Sequence, residues 1–189
     1  MRQPVGKQDQ YIAAFGGLTC FEFRPDGTVD VKPLAISSAT AADLEHNLLM
    51  FFTGYSRSAV EILADQQQRS AQGDAGMIEN LHFTKQLGNL AKQLLEDGKT
   101  RSYGELLHEH WEHKRARSKG MSNQSIDRWY RVGLENGAIG GKLVGAGGGG
   151  FLMFYADDPM RLRRAMAQER LSELRFRFDY DGSTVLVRD

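Results

Sequence analysis

A single cysteine, Cys20, stands in a chain of 189 residues, so no disulfide can close within it and it reads as a cytoplasmic protein of a reduced compartment. Neither sign of charge is in excess. The 24 lysines and arginines balance 24 aspartates and glutamates, which excludes a global field able to draw in a nucleic-acid backbone or an anionic membrane. Any anion site must be local. No apolar run approaches the roughly 18 residues of a membrane span, and the opening MRQPVGKQDQ lacks the apolar centre of a signal peptide. What the chain does have is glycine. Its 21 glycines gather at turns and in one run and do not form a linker. A 41% hydrophobic content is enough for one substantial core in a chain of ordinary domain size.

The segments LTCFEF and TVDVKPL, joined by Pro25-Asp26-Gly27, predict a β-hairpin between Leu18 and Leu34. The short apolar run Leu48 to Phe52 predicts a buried strand, followed by a loop that begins TGYSRSA. Met77, Ile78, Leu81, Leu87, Leu90, Ala91, Leu94 and Leu95 recur at helical steps and predict the longest helix, stopped at Asp97-Gly98. Ser102 and Glu105 have capping-box spacing for a helix carrying Leu106, Leu107 and Trp111. Ser122 is the expected cap of another, whose stripe of Ile126, Trp129, Tyr130, Gly133 and Leu134 ends at Asn136-Gly137. A strand over Phe151 to Tyr155 should precede a helix opened by Asp158-Pro159 and running to about Leu171. The alternating tail LRFRFDYDGSTVLVRD predicts a closing hairpin around Asp181-Gly182. Strands with helices inserted between them, without regular alternation, predict an α+β fold: an antiparallel sheet with helices on one face, in a ferredoxin-like arrangement.

The run Gly145 to Gly150, GAGGGG, is flanked by the apolar segments Leu143-Val144 and Phe151 to Phe154, so structure holds it at both ends. Backbone without side chains lets N–H groups approach a phosphate or a substrate closely. It also allows a tight turn with no other purpose. The run satisfies G-x-G-x-x-G, but a dinucleotide site needs a helix next and here a strand follows. No Gly-Lys-Ser/Thr closes it as a Walker loop either. Near the start, Asp9 precedes the helix-like stretch Tyr11 to Phe15 and reads most simply as a helix cap. A carboxylate there can equally orient or deprotonate a hydroxyl.

Arg57, between Ser56 and Ser58, offers a fork of donors flanked by hydroxyls that suits a sugar phosphate, or is a solvated arginine at a helix start. Lys114, Arg115 and Arg117 read as a solvated face, and Lys142 points either to the glycine run or outward. His108, His110 and His113 lack metal-ligand spacing, so no metal site is expected. Trp111, Trp129 and Tyr130 read as core at helical spacing.

Taken together, GKQDQYIAAFGG resembles the G-x-x-D-Q stretch of galactokinase-like and heptose kinases, and GAIGGKLVGAGGGGFLMFY resembles the third conserved motif of the GHMP kinases. TGYSRSAVEIL, WEHKRARS and MSNQSIDRWY look like the intervening stretches of the heptose 7-phosphate kinase branch. The resemblance covers nearly the whole chain in the family's order. It implies a catalytic base at Asp9, a substrate contact at Gln10, and a wall of Gly145, Gly147, Gly148, Gly149 and Gly150 where nucleotide phosphates meet the substrate. It also implies ATP and Mg2+, held mainly by an N-terminal domain whose Pro-rich, Gly-Ser-Ser loop has no counterpart here.

On that reading, residues 1–189 are one C-terminal domain without its ATP-binding half. Its partners are a sugar or sugar phosphate and a complementary N-terminal half or a second copy, with no nucleic acid and no membrane. The rival expectation is a non-catalytic relic that binds small molecules or another protein. An apolar face is expected to lie exposed near Asp9 and the glycine run.

Overall fold

The structure, a computed structural model, describes residues 6–55, 59–117, 120–145 and 147–186. Helix α1 (Gln8–Phe15) leads into the hairpin of β1 (Thr19–Phe23) and β2 (Val29–Pro33), which pair antiparallel with Phe21 opposite Val31. The hairpin turn is fixed by the Asp26 carboxylate, which accepts from the Thr28 amide at 2.9 Å and its hydroxyl at 2.6 Å. Helix α2 (Ser38–Asn47) starts where the Ser37 hydroxyl accepts from the Thr40 amide, and runs without a loop into β3 (Leu48–Phe52). Next come α3 (Ala59–Ala71), α4 (Ala75–Glu96, capped by Asp74), α5 (Thr100–Arg117) and α6 (Gln124–Glu135). The chain then closes its sheet with β4 (Ala138–Val144), β5 (Phe151–Ala156), α7 (Pro159–Gln168) and β6 (Ser172–Leu174).

The principal sheet has the order β4-β5-β3-β6 with every neighbour antiparallel. Its chain order is strand, helices, strand, strand, helix, strand, with the first strand central. That is the ferredoxin-like arrangement the pattern of elements predicts. Alternation along the strands sorts the core. Leu49 and Phe51 of β3 with Leu152 and Phe154 of β5 face α6 and α7, meeting Ile126, Tyr130, Leu162 and Met166. Leu48 and Tyr155 face the other way, toward Leu44 of α2, Leu107 of α5 and the partly buried Leu18 and Leu34 that flank the small hairpin.

Several local expectations shift. Helix α5 begins at Thr100, so Ser102 lies inside its first turn and does not cap it. Asn123, one residue beyond Ser122, caps α6 by accepting from the Ile126 amide at 3.0 Å. Asp158 and Pro159 open α7 as expected, but the helix stops at Gln168, and Arg170 at φ 62 turns Leu171 back into the core. Among the described residues the tail makes no hairpin around Asp181-Gly182. It docks on α1: the Gly17 amide donates to the Asp179 carbonyl, and Ser183 donates from its amide to Ala14 O and from its hydroxyl to Ala13 O. Helix carbonyls otherwise left without partners are thereby satisfied.

Candidate functional site

The glycine run bridges β4 and β5 at the end of the sheet where Phe52 pairs with Phe151. Gly145, Gly147, Gly148 and Gly150 adopt φ of 93°, 122°, 76° and 100°, a region closed to most L-residues. Gly149 is required for another reason. A Cβ there would stand 2.5 Å from the Tyr55 carbonyl oxygen. The loop is anchored on both flanks: the Gly150 amide donates to Tyr55 O at 2.9 Å, the Thr53 amide and hydroxyl both donate to Gly150 O at 2.9 Å, and the Gly148 amide donates to Met121 O at 3.0 Å. From α5, Lys114 sends its ammonium to Leu143 O at 2.9 Å and to Gly145 O at 2.5 Å.

Lys114 is therefore buried, where the charge run predicts a solvated face. A signal for this exists in the sequence. Gly104, Leu107, Trp111 and Lys114 follow helical steps, and all four are buried, so Lys114 continues the stripe of α5 that faces the sheet. The close approach of α5 also explains Gly140, whose added Cβ would collide with the Gly104 carbonyl and stand 2.9 Å from the His108 Cβ. Lys142, on β4 just before the loop, keeps part of its surface in water, while withdrawal of its ammonium from solvent pushes it below its ordinary value.

Asp9 lies exposed in the first turn of α1, whose N-cap is Lys7, so it is not the cap that its position before an apolar stretch predicts. There a carboxylate still faces the positive end of the helix. The Gln10 amide, with its nitrogen turned toward them, donates to Gly6 O and Lys7 O at 3.0 Å and so serves the helix start. Helix α1 buries no residue of its own and rests on β1 and on the tail. Asp9 and Gln10 thus hang on the N-terminal hairpin, while the glycines hang on β3, α5 and the segment before α6. Arg57 lies outside the described residues.

The histidines of α5 have separate roles. His108 Nδ1 lies 2.8 Å from the Tyr130 hydroxyl, which itself donates to Gly141 O at 3.1 Å, so His108 supplies the proton between them. Burial pushes the Tyr130 phenol far above its ordinary value. His113 stacks on Phe83 at 3.7 Å. Among the described residues no three His, Cys, Asp or Glu side chains gather as a metal site, and no helix is long and apolar enough to cross a membrane. Apolar side chains are exposed on both parts of the candidate site: Ile12, Phe15 and Phe23 around α1, and Phe52 and Tyr55 beside the glycine loop.

Residues 90–172 match the family model described as "GHMP kinases C terminal". The chain is 33% identical over 179 residues to a D-glycero-alpha-D-manno-heptose 7-phosphate kinase of Campylobacter jejuni, covering 94% of this chain and 52% of that protein. Among solved structures it resembles a D-glycero-D-manno-heptose 1-phosphate kinase from Bacteroides thetaiotaomicron with a TM-score of 0.66 and 29% identity, over 94% of this chain and 47% of that one. It shares its fold with a Lactococcus lactis galactokinase, at a TM-score of 0.67 and 16% identity, over 95% of this chain and 55% of the other. The chain thus spans about half the length of each of these three proteins.

Proposed function

The chain carries the C-terminal domain of the GHMP kinase family, and from that premise we propose that it forms the C-terminal half of an ATP-dependent sugar kinase. Heptose 7-phosphate, phosphorylated at its anomeric hydroxyl, is the proposed substrate, supported by the 33% identity to a heptose 7-phosphate kinase. The observation that carries the reading is the glycine loop. Four of its glycines need positive φ, and Gly149 leaves no room for a Cβ, so Gly147 to Gly150 present bare backbone just ahead of β5. A cradle of that kind fits the phosphates of a nucleotide. ATP supplies the phosphoryl group, and Mg2+ is assigned mainly to the complementary half.

Asp9 accepts or steers the proton of the attacking sugar hydroxyl. Gln10 and Arg57 complete the sugar side, Arg57 through its fork of donors to the sugar phosphate. For Asp9 and the glycines to act together, a complementary N-terminal half must close on both parts. The exposed Phe15, Phe23, Phe52 and Tyr55 are the surface it covers.

The test supplies ATP, magnesium and heptose 7-phosphate to the purified chain, alone and with a complementary N-terminal half, and follows phosphate transfer by phosphorus NMR. Turnover is expected only with the second half. Robust turnover by the chain alone would refute the division of labour, and none from a well-folded complex would refute the kinase reading.

A further inference from the structure

At the end of β4 the last ladder pair is Val144 with Phe151, and the Gly145 carbonyl has already left the sheet. Backbone carbonyls near a buried turn need donors. Two of them, Leu143 O and Gly145 O, converge on the single ammonium of Lys114, which reaches them across 29 and 31 residues of sequence. An ammonium can serve both at once because its three N–H bonds fan out from one atom. Its burial in the last turn of α5, three residues beyond the buried Trp111, ties the loop to that helix. From this geometry we propose that Lys114 is a positioning residue for the glycine loop. Its charged head holds the bend at Val144-Gly145 and so sets the shape in which Gly147 to Gly150 meet the phosphates.

The functional half of this proposal rests on the kinase reading, while the conformational half does not. The decisive variant is Lys114→Met, which keeps the length and apolar stem of the side chain but removes every donor. If the stem alone mattered, Met would replace it without consequence. Hydrogen exchange on the full chain is the first measurement. In Lys114→Met, the amides of Gly147 to Gly150 should exchange about tenfold faster or more, those of α6 and β5 should keep their protection, and Lys114→Arg should restore most of the loop protection.

In the complex with an N-terminal half, KM for ATP should rise about tenfold in Lys114→Met with KM for the sugar within about twofold, as expected when donors from a charged group are lost on one side of the site. Unchanged loop exchange together with unchanged KM for ATP would overturn the proposal. If Lys114→Met does not fold, Lys114→Arg decides: retained loop protection supports the clamp, and a loop exchanging as fast as a free peptide overturns it. A complex whose wild type shows no turnover would count against the kinase reading and leave Lys114 to be judged by exchange.

Discussion

Gly149→Ala isolates the steric demand of the glycine loop, because Gly149 lacks the positive φ of its neighbours and can accept an L-residue's backbone without strain. Its added methyl group meets the Tyr55 carbonyl oxygen at 2.5 Å and the Tyr55 carbonyl carbon at 2.8 Å. Ordinary contact begins at 3.4 Å, so one side must move by about 1 Å. Neither side is loose. Tyr55 O accepts from the Gly150 amide, and Gly150 O accepts twice from Thr53. Overpacking of this sort costs about 1–3 kcal/mol, and loss of the Gly150 to Tyr55 hydrogen bond adds about 1 kcal/mol. At about 2–4 °C per kcal/mol for a chain of this size, the melting temperature should fall by about 5–15 °C. Gly88→Ala is the matched control. It lies exposed within α4, where a Cβ meets nothing within 4 Å, so the same chemical change should stabilise by about 0.5–1 kcal/mol. Thermal melts followed by circular dichroism separate the two. A Gly149→Ala protein melting within about 1 °C of the wild type would refute the claim that the loop is held against Tyr55.

Two further outcomes follow from single side chains. Asp9→Asn in the complete kinase should lower turnover by about 10²–10⁴-fold and cost the fold about 0.3–1 kcal/mol of helix-dipole interaction; near-normal turnover by a folded variant would leave Asp9 with the helix alone. The Lys142 ammonium is held below 10.5 by desolvation, so between that lowered value and 10.5 the unfolded chain binds the extra proton more fully and stability rises with pH. Lys142→Met should therefore be the more stable protein at neutral pH, with the gap closing as pH climbs toward about 10.5, and melts over a pH series showing a constant gap would contradict this.

Elements whose signal is local were legible in the sequence. The hairpin announced itself by Pro25-Asp26-Gly27, α7 by Asp158-Pro159, and α4 by its leucine spacing. Strand β4 was hidden because Gly140 and Gly141 erase its β-propensity, and that erasure is what lets α5 and Phe154 come close. Helix α2 buries only Thr40 and Leu44, too narrow a stripe to stand out, and α3 begins inside a stretch whose Thr53-Gly54 reads as loop. The alternation of the tail is real, but Phe176 and Phe178 pack against the face that carries Leu48 and Tyr155 and pair with no strand. Within the candidate site, the glycines were visible as a run. Lys114 was masked by its basic neighbours, and only its phase along α5 gives it away.

The docking of the tail on α1 sets an order of events. An eight-residue helix with no fully buried residue is too short to persist by itself. The groups that finish its C-terminal end arrive with Ser183, 170 residues after Ala13. During synthesis the sheet and its glycine loop can assemble while α1 still samples open conformations. Asp9 takes its place only when the tail closes over the helix, so the candidate base depends for its position on a segment 170 residues further along the chain.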